Sequence, residues 1–106
     1  MTTKQKAAIL MQVCARHFRL SAGEILGPSK YAEVVRARQM AMALGRGCFG
    51  WTFETLAEVF RRDVGTCRVA VDRWRRRAKA DPDWHRLTLV LAMRMLEAIG
   101  PDWRVS

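Results

Sequence analysis

The chain has 106 residues, half of them hydrophobic, and no long low-complexity tract, which is typical of one globular domain over residues 1–106 rather than of a disordered segment. Lysine and arginine together number 19 against 10 acidic side chains, and the net charge of +9 favours a polyanionic partner, first of all nucleic acid. The longest apolar run, near residues 87–99, is interrupted by Arg94 and Glu97, and no secretion signal is recognisable. We therefore expect a cytoplasmic protein with no membrane contact.

Two helices are predicted at the start of the chain. Apolar side chains recur at helical spacing over residues 4–18, without a glycine or proline to interrupt them. Ser21 and Glu24 have the Ser-x-x-Glu spacing of a capping box, in which each side chain accepts a hydrogen bond from the backbone of the other residue. This pattern predicts a short second helix that stops at Gly27-Pro28.

A third helix is predicted from about Glu33 to Leu44. Its first part is basic, whereas its second part consists almost entirely of alanine, methionine and leucine. We interpret the three glycines that follow as the end of this helix and a flexible connector; they are Gly45, Gly47 and Gly50.

The next two helices have the pattern of a helix-turn-helix. Thr52 is placed to cap a fourth helix that ends near Phe60, and Asp63 is placed to cap a fifth. The fifth helix carries one apolar stripe, and its remaining surface is rich in arginine. Eight basic and two acidic side chains lie between Arg61 and Lys79, so this segment supplies six of the nine net positive charges. A basic second helix after a short turn is typical of DNA recognition.

A last helix is predicted from Pro82 to about Ile99, capped by Asp81 and ended by Gly100-Pro101. Its apolar side chains cover most of its circumference, and such a helix needs cover on more than one side. Either the first helix supplies that cover, or residues 84–99 bind a protein partner or a second copy of the chain.

Three segments carry a resemblance to a known family. "VVRARQMAMAL", residues 34–44, is similar to Val-x-Arg-Pro-Arg-Gln-x-Ala-Met, with Ala37 in place of the proline. "TFETLAEVF", residues 52–60, corresponds to Ser-Leu-x-x-Ile-Gly-x-x-Phe. Arg62 to Cys67 match half of Arg-Asp-His-Thr/Ser-Thr-Val. Residues 13–77 thus resemble the C-terminal DNA-binding domain of the bacterial replication initiator DnaA, which implies an all-α fold of about six helices containing a helix-turn-helix.

The resemblance also implies how DNA is contacted. It implies that Arg36 enters the minor groove, while Asp63 and Thr66 approach base edges in the major groove. Val64 stands where the family has histidine and Gly65 where it has a hydroxyl residue, so direct base readout should differ from that of an initiator. A stand-alone domain of this kind resembles the small regulators of prophages and phage-derived elements.

The predicted function is double-stranded DNA binding, with residues 63–76 in the major groove and a role in transcription regulation. The alternative is a replication or DNA-packaging adaptor that binds DNA non-specifically and a protein through its last helix. No phosphate-binding Gly-x-x-x-x-Gly-Lys loop, metal-ligand spacing or catalytic constellation is present in the sequence, so we expect no nucleotide, cofactor, metal or enzymatic activity. The predicted DNA-contacting residues are Lys30, Arg36, Arg38, Arg46, Arg61, Arg62, Asp63, Val64, Gly65, Thr66, Arg68, Arg73 and Arg76.

Overall fold

The computed structural model describes residues 1–100, and this part of the chain contains six helices and no strand. Pro101, predicted to follow the last helix, lies outside the described residues, as does the rest of the segment 101–106. The predicted all-α architecture is confirmed. The helices are α1 (Thr3–Phe18), α2 (Ala22–Leu26), α3 (Ala32–Phe49), α4 (Phe53–Phe60), α5 (Val64–Ala80) and α6 (Pro82–Ile99).

The predicted caps are present at the starts of four helices. The Ser21 hydroxyl accepts a hydrogen bond from the Glu24 N–H at 3.0 Å, and the Glu24 carboxylate accepts one from the Ser21 N–H at 3.0 Å. Thr52, Asp63 and Asp81 each accept a backbone N–H of the helix that follows. Because these side chains satisfy backbone donors that have no partner inside the helix, they fix where each helix begins.

The end of α3 differs from the prediction. The helix does not stop at Leu44 but continues through Gly45 and Gly47 to Phe49, so these two glycines are not a connector. The ring of Trp51 packs against Gly45, where a Cβ would come within 2.5 Å of the ring atom Cε3. Gly45 therefore makes room for an aromatic ring. The helix ends at Gly50, whose φ of 65° is the left-handed conformation that glycine adopts without strain.

The core is built around α3, which packs against all five other helices. Met40, Ala41 and Met42 are completely buried in one apolar cluster, to which every helix contributes. Leu10 of α1 and Leu91 of α6 are in the same cluster. The apolar second part of "VVRARQMAMAL" is thus the centre of the core, and it holds the α3 segment that precedes it in a fixed position.

Among residues 1–100, the helices that pack against α6 all lie on one side of it. α1, α3 and α5 pack against the face that contains Leu91, Met95 and other buried side chains. Three apolar side chains on the remaining surface are exposed, at 53% for Leu89, 39% for Val90 and 62% for Met93. α1 supplies part of the predicted cover, and residues 1–100 leave an apolar face of α6 uncovered. Within residues 1–100, no helix has the length and apolar character needed to cross a membrane.

Candidate nucleic-acid interface

A three-residue turn joins α4 to α5. Arg61 has a φ of 54°, and its N–H donates to the carbonyl of Ala57, which closes the end of α4. Asp63 then caps α5: its carboxylate accepts the Thr66 N–H at 2.7 Å and the Thr66 hydroxyl at 3.0 Å. These hydrogen bonds from Thr66 hold the pKa of Asp63 below its ordinary value, so the carboxylate is ionised at neutral pH. Helix-turn-helix geometry follows from this turn.

α5 divides into a buried stripe and an exposed basic face. Cys67 and Val71 are buried, and the indole N–H of the half-buried Trp74 donates to the Thr88 hydroxyl of α6 at 3.2 Å. These contacts fix the rotation of α5 about its axis, so the arginine-rich face points outward. The exposed residues of this face are Gly65, Thr66, Arg68, Val69, Arg73, Arg75 and Arg76.

A groove of about 520 Å³ runs between the first part of α3 and the start of α5. Val35 and Gln39 line it from α3, while Thr66, Val69 and Arg73 are among the residues that line it from α5. Exposed Arg36 follows Val35 and lies one helical turn before Gln39, so it belongs to the segment of α3 that borders the groove. The basic segments near residues 36 and 73 therefore lie on one surface.

Arg38 was predicted to contact DNA, but its side chain is only 8% exposed and is not part of that surface. Its Nε donates to the Ile25 carbonyl at 2.7 Å, and its terminal nitrogens donate to the carbonyls of Gly27 at 2.8 Å and Ser29 at 3.2 Å. Burial lowers the pKa of Arg38, and the charge of nearby Arg62 lowers it further. The predicted phosphate contact is wrong: Arg38 ties α3 to the end of α2 and the loop after it.

Arg62 is half-buried, and its guanidinium is held in the same region. It donates to the carbonyls of Phe60 at 2.7 Å, Leu26 at 3.2 Å and Gly27 at 2.5 Å. Gly27 thus accepts from both Arg38 and Arg62. Two cations at the end of a helix also match the negative end of its dipole. The positions of these donors favour a structural role for Arg62 over the predicted phosphate contact.

Phe53 lies against two arginines. The guanidinium carbon of Arg46 is 4.0 Å from the centre of the Phe53 ring, and that of Arg68 is 4.6 Å away. Arg46 is half-buried and also donates to the Trp51 carbonyl at 2.9 Å, whereas Arg68 is exposed. The ring attracts both cations and restricts their side-chain rotation. Arg46 therefore has contacts within the fold, and Arg68 is positioned by the Phe53 ring on the outer face of α5.

The remaining predicted residues have different exposures. Val64 is half-buried at the first position of α5. Arg76 pairs with Asp72 at 3.0 Å, and this exposed ion pair contributes little to stability. The groove is also lined by Val35, Gln39 and Val69, which were not predicted to contact DNA. Val69 could have been predicted, because it lies one turn after Thr66 on the same face of α5. The predicted residues with exposed side chains are Lys30, Arg36, Arg61, Asp63, Thr66, Arg68, Arg73 and Arg76, while Gly65 exposes backbone.

No cluster of three or more histidine, cysteine, aspartate or glutamate side chains suited to a metal ion occurs within residues 1–100. Cys14, Cys48 and Cys67 are free, and the first and last are buried.

A family model described as the bacterial DnaA protein helix-turn-helix matches residues 7–73, which is more than half of the chain. Comparison with curated proteins gives no match. The matched range includes the turn, the groove and the first part of α5, and it ends before α6. A helix-turn-helix domain of this kind is a DNA-binding module rather than a catalytic one. The chain belongs to the DnaA helix-turn-helix family and is a DNA-binding protein.

Proposed function

We propose that this is a cytoplasmic, sequence-preferring protein that binds double-stranded DNA and regulates transcription of a prophage or phage-derived element. The start of α5 enters the major groove, and Arg36 reaches into the adjacent minor groove. One observation carries the proposal: α3 and α5 form the two sides of a single groove, with Thr66 and Arg73 on one side and Val35 and Gln39, the helical neighbours of exposed Arg36, on the other. A protein that contacts two neighbouring DNA grooves needs this convergence.

Phosphate contacts come from the cations that the fold leaves unused. Arg38, Arg46 and Arg62 donate to backbone carbonyls, so they are poor candidates. Each phosphate contact gives a slope of about −0.9 in a plot of log affinity against log salt concentration, so about five contacts give a slope between about −4 and −5. The proposed phosphate-binding side chains are Lys30, Arg61, Arg68, Arg73 and Arg76.

Base readout rests on the pair formed by Asp63 and Thr66. The ionised Asp63 carboxylate is only an acceptor, and the Thr66 hydroxyl uses its proton on that carboxylate. Both groups therefore favour bases that present an amino donor in the major groove, namely cytosine N4 or adenine N6. Exposed Val69 adds an apolar contact suited to a thymine methyl group. Gly65 lets the backbone approach closely but reads no base.

Selection of bound fragments from a random DNA library tests the proposal. We expect one enriched motif, bound about a thousandfold or more tighter than random DNA at physiological salt. Replacement of Arg73 by alanine should weaken binding to all sequences, whereas Thr66→Ala should change the selected motif. Arg16→Ala, which removes an exposed arginine from α1, is the matched control and should leave binding nearly unchanged. Unchanged binding by both α5 variants would contradict the proposal.

The open apolar face of α6 supports a second candidate, an adaptor for replication or DNA packaging that binds DNA non-specifically and a protein through α6. Leu89, Val90 and Met93 form this face, and the weak readout expected of Val64 and Gly65 agrees with such a role. Competition with random DNA distinguishes the two functions. A specificity ratio near one favours the adaptor, and a ratio of about a thousand or more favours the regulator.

A further inference from the structure

The exposed side of α6 has a regular pattern of four residues. Arg86, Val90, Met93 and Glu97 follow one another at spacings of four, three and four, so they form one row along the helix. All four are exposed. At about 100° per residue, this row lies opposite the buried residues Leu91 and Met95, on the part of α6 farthest from the core.

The row is complementary to itself. It begins with a positive charge at Arg86 and ends with a negative charge at Glu97, with two apolar residues between them. Turned end for end, the same row places a negative charge opposite the positive one. A twofold interface has this property, because each copy presents the same surface to the other.

We propose that α6 pairs with α6 of a second copy in antiparallel orientation, around a twofold axis that passes between Leu91 and Ala92. In this register, Arg86 faces Glu97 of the second copy, and Glu97 faces Arg86 of the second copy. Val90 contacts Met93 of the second copy, and Met93 contacts Val90 of the second copy. Leu89 lies beside the row, on the flank that it shares with Leu89 of the second copy.

The charged groups of this contact, Arg86 and Glu97, are both exposed. Arg86 pairs with Asp83 at 2.8 Å, but both side chains are largely exposed, and such a pair competes weakly with a partner across an interface. The net charge of +9 opposes association. At physiological salt, however, the Debye length is about 8 Å, so repulsion between distant basic surfaces is largely screened. The Arg86–Glu97 pairs lie within the contact itself.

The contact is small. A single helix face with three exposed apolar side chains per copy falls below the roughly 1,200 Å² that stable complexes bury, which places it among transient interfaces. We therefore expect a dissociation constant on the order of tens to hundreds of micromolar. A weak dimer of this kind forms more readily when a second interaction, such as DNA, holds two copies near each other. The promotion of dimers by DNA rests on the proposed function, whereas the pairing of α6 with α6 does not.

Sedimentation equilibrium of the full chain without DNA, from about 5 to 500 μM, tests the pairing. The wild type should associate reversibly into dimers. Arg86→Glu and Glu97→Arg should each place like charges opposite one another twice per dimer and weaken association about tenfold. The double variant restores both pairs with reversed sign and should regain most of the wild-type affinity.

Two variants control for net charge. Lys4→Glu changes the charge of exposed α1 by the same amount as Arg86→Glu, and Glu54→Arg on α4 matches Glu97→Arg. Both should associate like the wild type. A monomer at all concentrations would overturn the proposal, as would dimers whose affinity is unchanged in the single variants or not restored in the double variant. Because DNA is absent, failure here is distinguishable from failure of DNA binding.

Discussion

Arg36 and Arg38 are two residues apart and of the same type, yet the structure gives them different environments. Arg36 is exposed, whereas Arg38 is buried and donates to three backbone carbonyls. Replacing each with alanine should therefore separate DNA binding from stability. We expect Arg38→Ala to destabilise the fold and Arg36→Ala to leave stability unchanged.

The size of the Arg38 effect follows from its hydrogen bonds. A hydrogen bond to a charged group contributes about 1.5–3 kcal/mol, and the variant leaves the carbonyls of Ile25, Gly27 and Ser29 without this donor. Water reaches part of this loop once the side chain is gone, so we expect a loss of about 3 kcal/mol in the free energy of unfolding. For a domain of this size, the melting temperature should fall by roughly 12–20 °C. Lysine lacks the planar fork of arginine, so Arg38→Lys should restore only part of this loss.

Circular dichroism during heating and urea unfolding gives the stabilities, and DNA affinity is measured at a temperature where all variants are folded. Arg36→Ala should melt with the wild type and bind DNA about tenfold more weakly. Arg38→Ala, when folded, should bind DNA nearly as well as the wild type. The structural role assigned to Arg38 is wrong if its alanine variant keeps the wild-type melting temperature and loses as much DNA affinity as Arg36→Ala.

Three further predictions concern other sites. Gly45→Ala should lower the urea midpoint, because its Cβ would come within 2.5 Å of the Trp51 ring and overpacking costs about 1–3 kcal/mol; Gly47→Ala, with no atom within 4 Å of its Cβ, should raise the midpoint. Equal shifts in the two variants would contradict this. Burial raises the pKa of the Cys14 thiol to about 12, so at pH 8 mass spectrometry should find it alkylated only after unfolding, and rapid modification in the native protein would refute its burial. Folding lowers the pKa of Asp63, so the ionised carboxylate stabilises the fold above its ordinary pKa of 3.8, and this contribution is lost as the pH falls through the lower, folded-state pKa. The melting temperatures of the wild type and of Asp63→Asn should therefore differ at neutral pH and approach each other below about pH 4. A difference that stays constant down to pH 2 would argue against this cap.

The parts of the fold that local chemistry determines could be predicted from the sequence. The capping side chains of Ser21, Thr52 and Asp63 each accept from a backbone N–H three residues away, so local sequence spacing locates the helix starts. The apolar stripe of α5 likewise predicts which face is buried. The end of α3 could not be predicted in this way, because Gly45 is explained by Trp51, a side chain outside the helix.

The structure gives the predicted arginines of the candidate site different environments. An arginine in a sequence can have either of two roles. Its charge suits an exposed contact to phosphate, and its fork of donors suits a buried contact to several backbone carbonyls. Which role applies to Arg38 depends on the carbonyls of Ile25 in α2 and of Gly27 and Ser29 in the loop after it, and no local pattern reveals their direction. Arg46 and Arg62 likewise donate to backbone carbonyls that no local sequence pattern reveals. The exposed arginines of α5 were easier to predict, because they lie opposite a clear apolar stripe.

Arg38 and Arg62, whose side chains point inward, also explain how the two segments proposed to contact DNA are held in fixed relative positions. Gly27 accepts hydrogen bonds from Arg38 of α3 and from Arg62 of the turn before α5, so one carbonyl links the two sides of the groove. Arg36 lies about half a turn from Arg38 on the same helix, and the Asp63 cap follows Arg62 directly. A shift of either segment relative to the other would break bonds to the same loop. The groove is therefore preorganised. The conformational entropy of fixing Arg36 relative to Thr66 is lost during folding and not again on DNA binding.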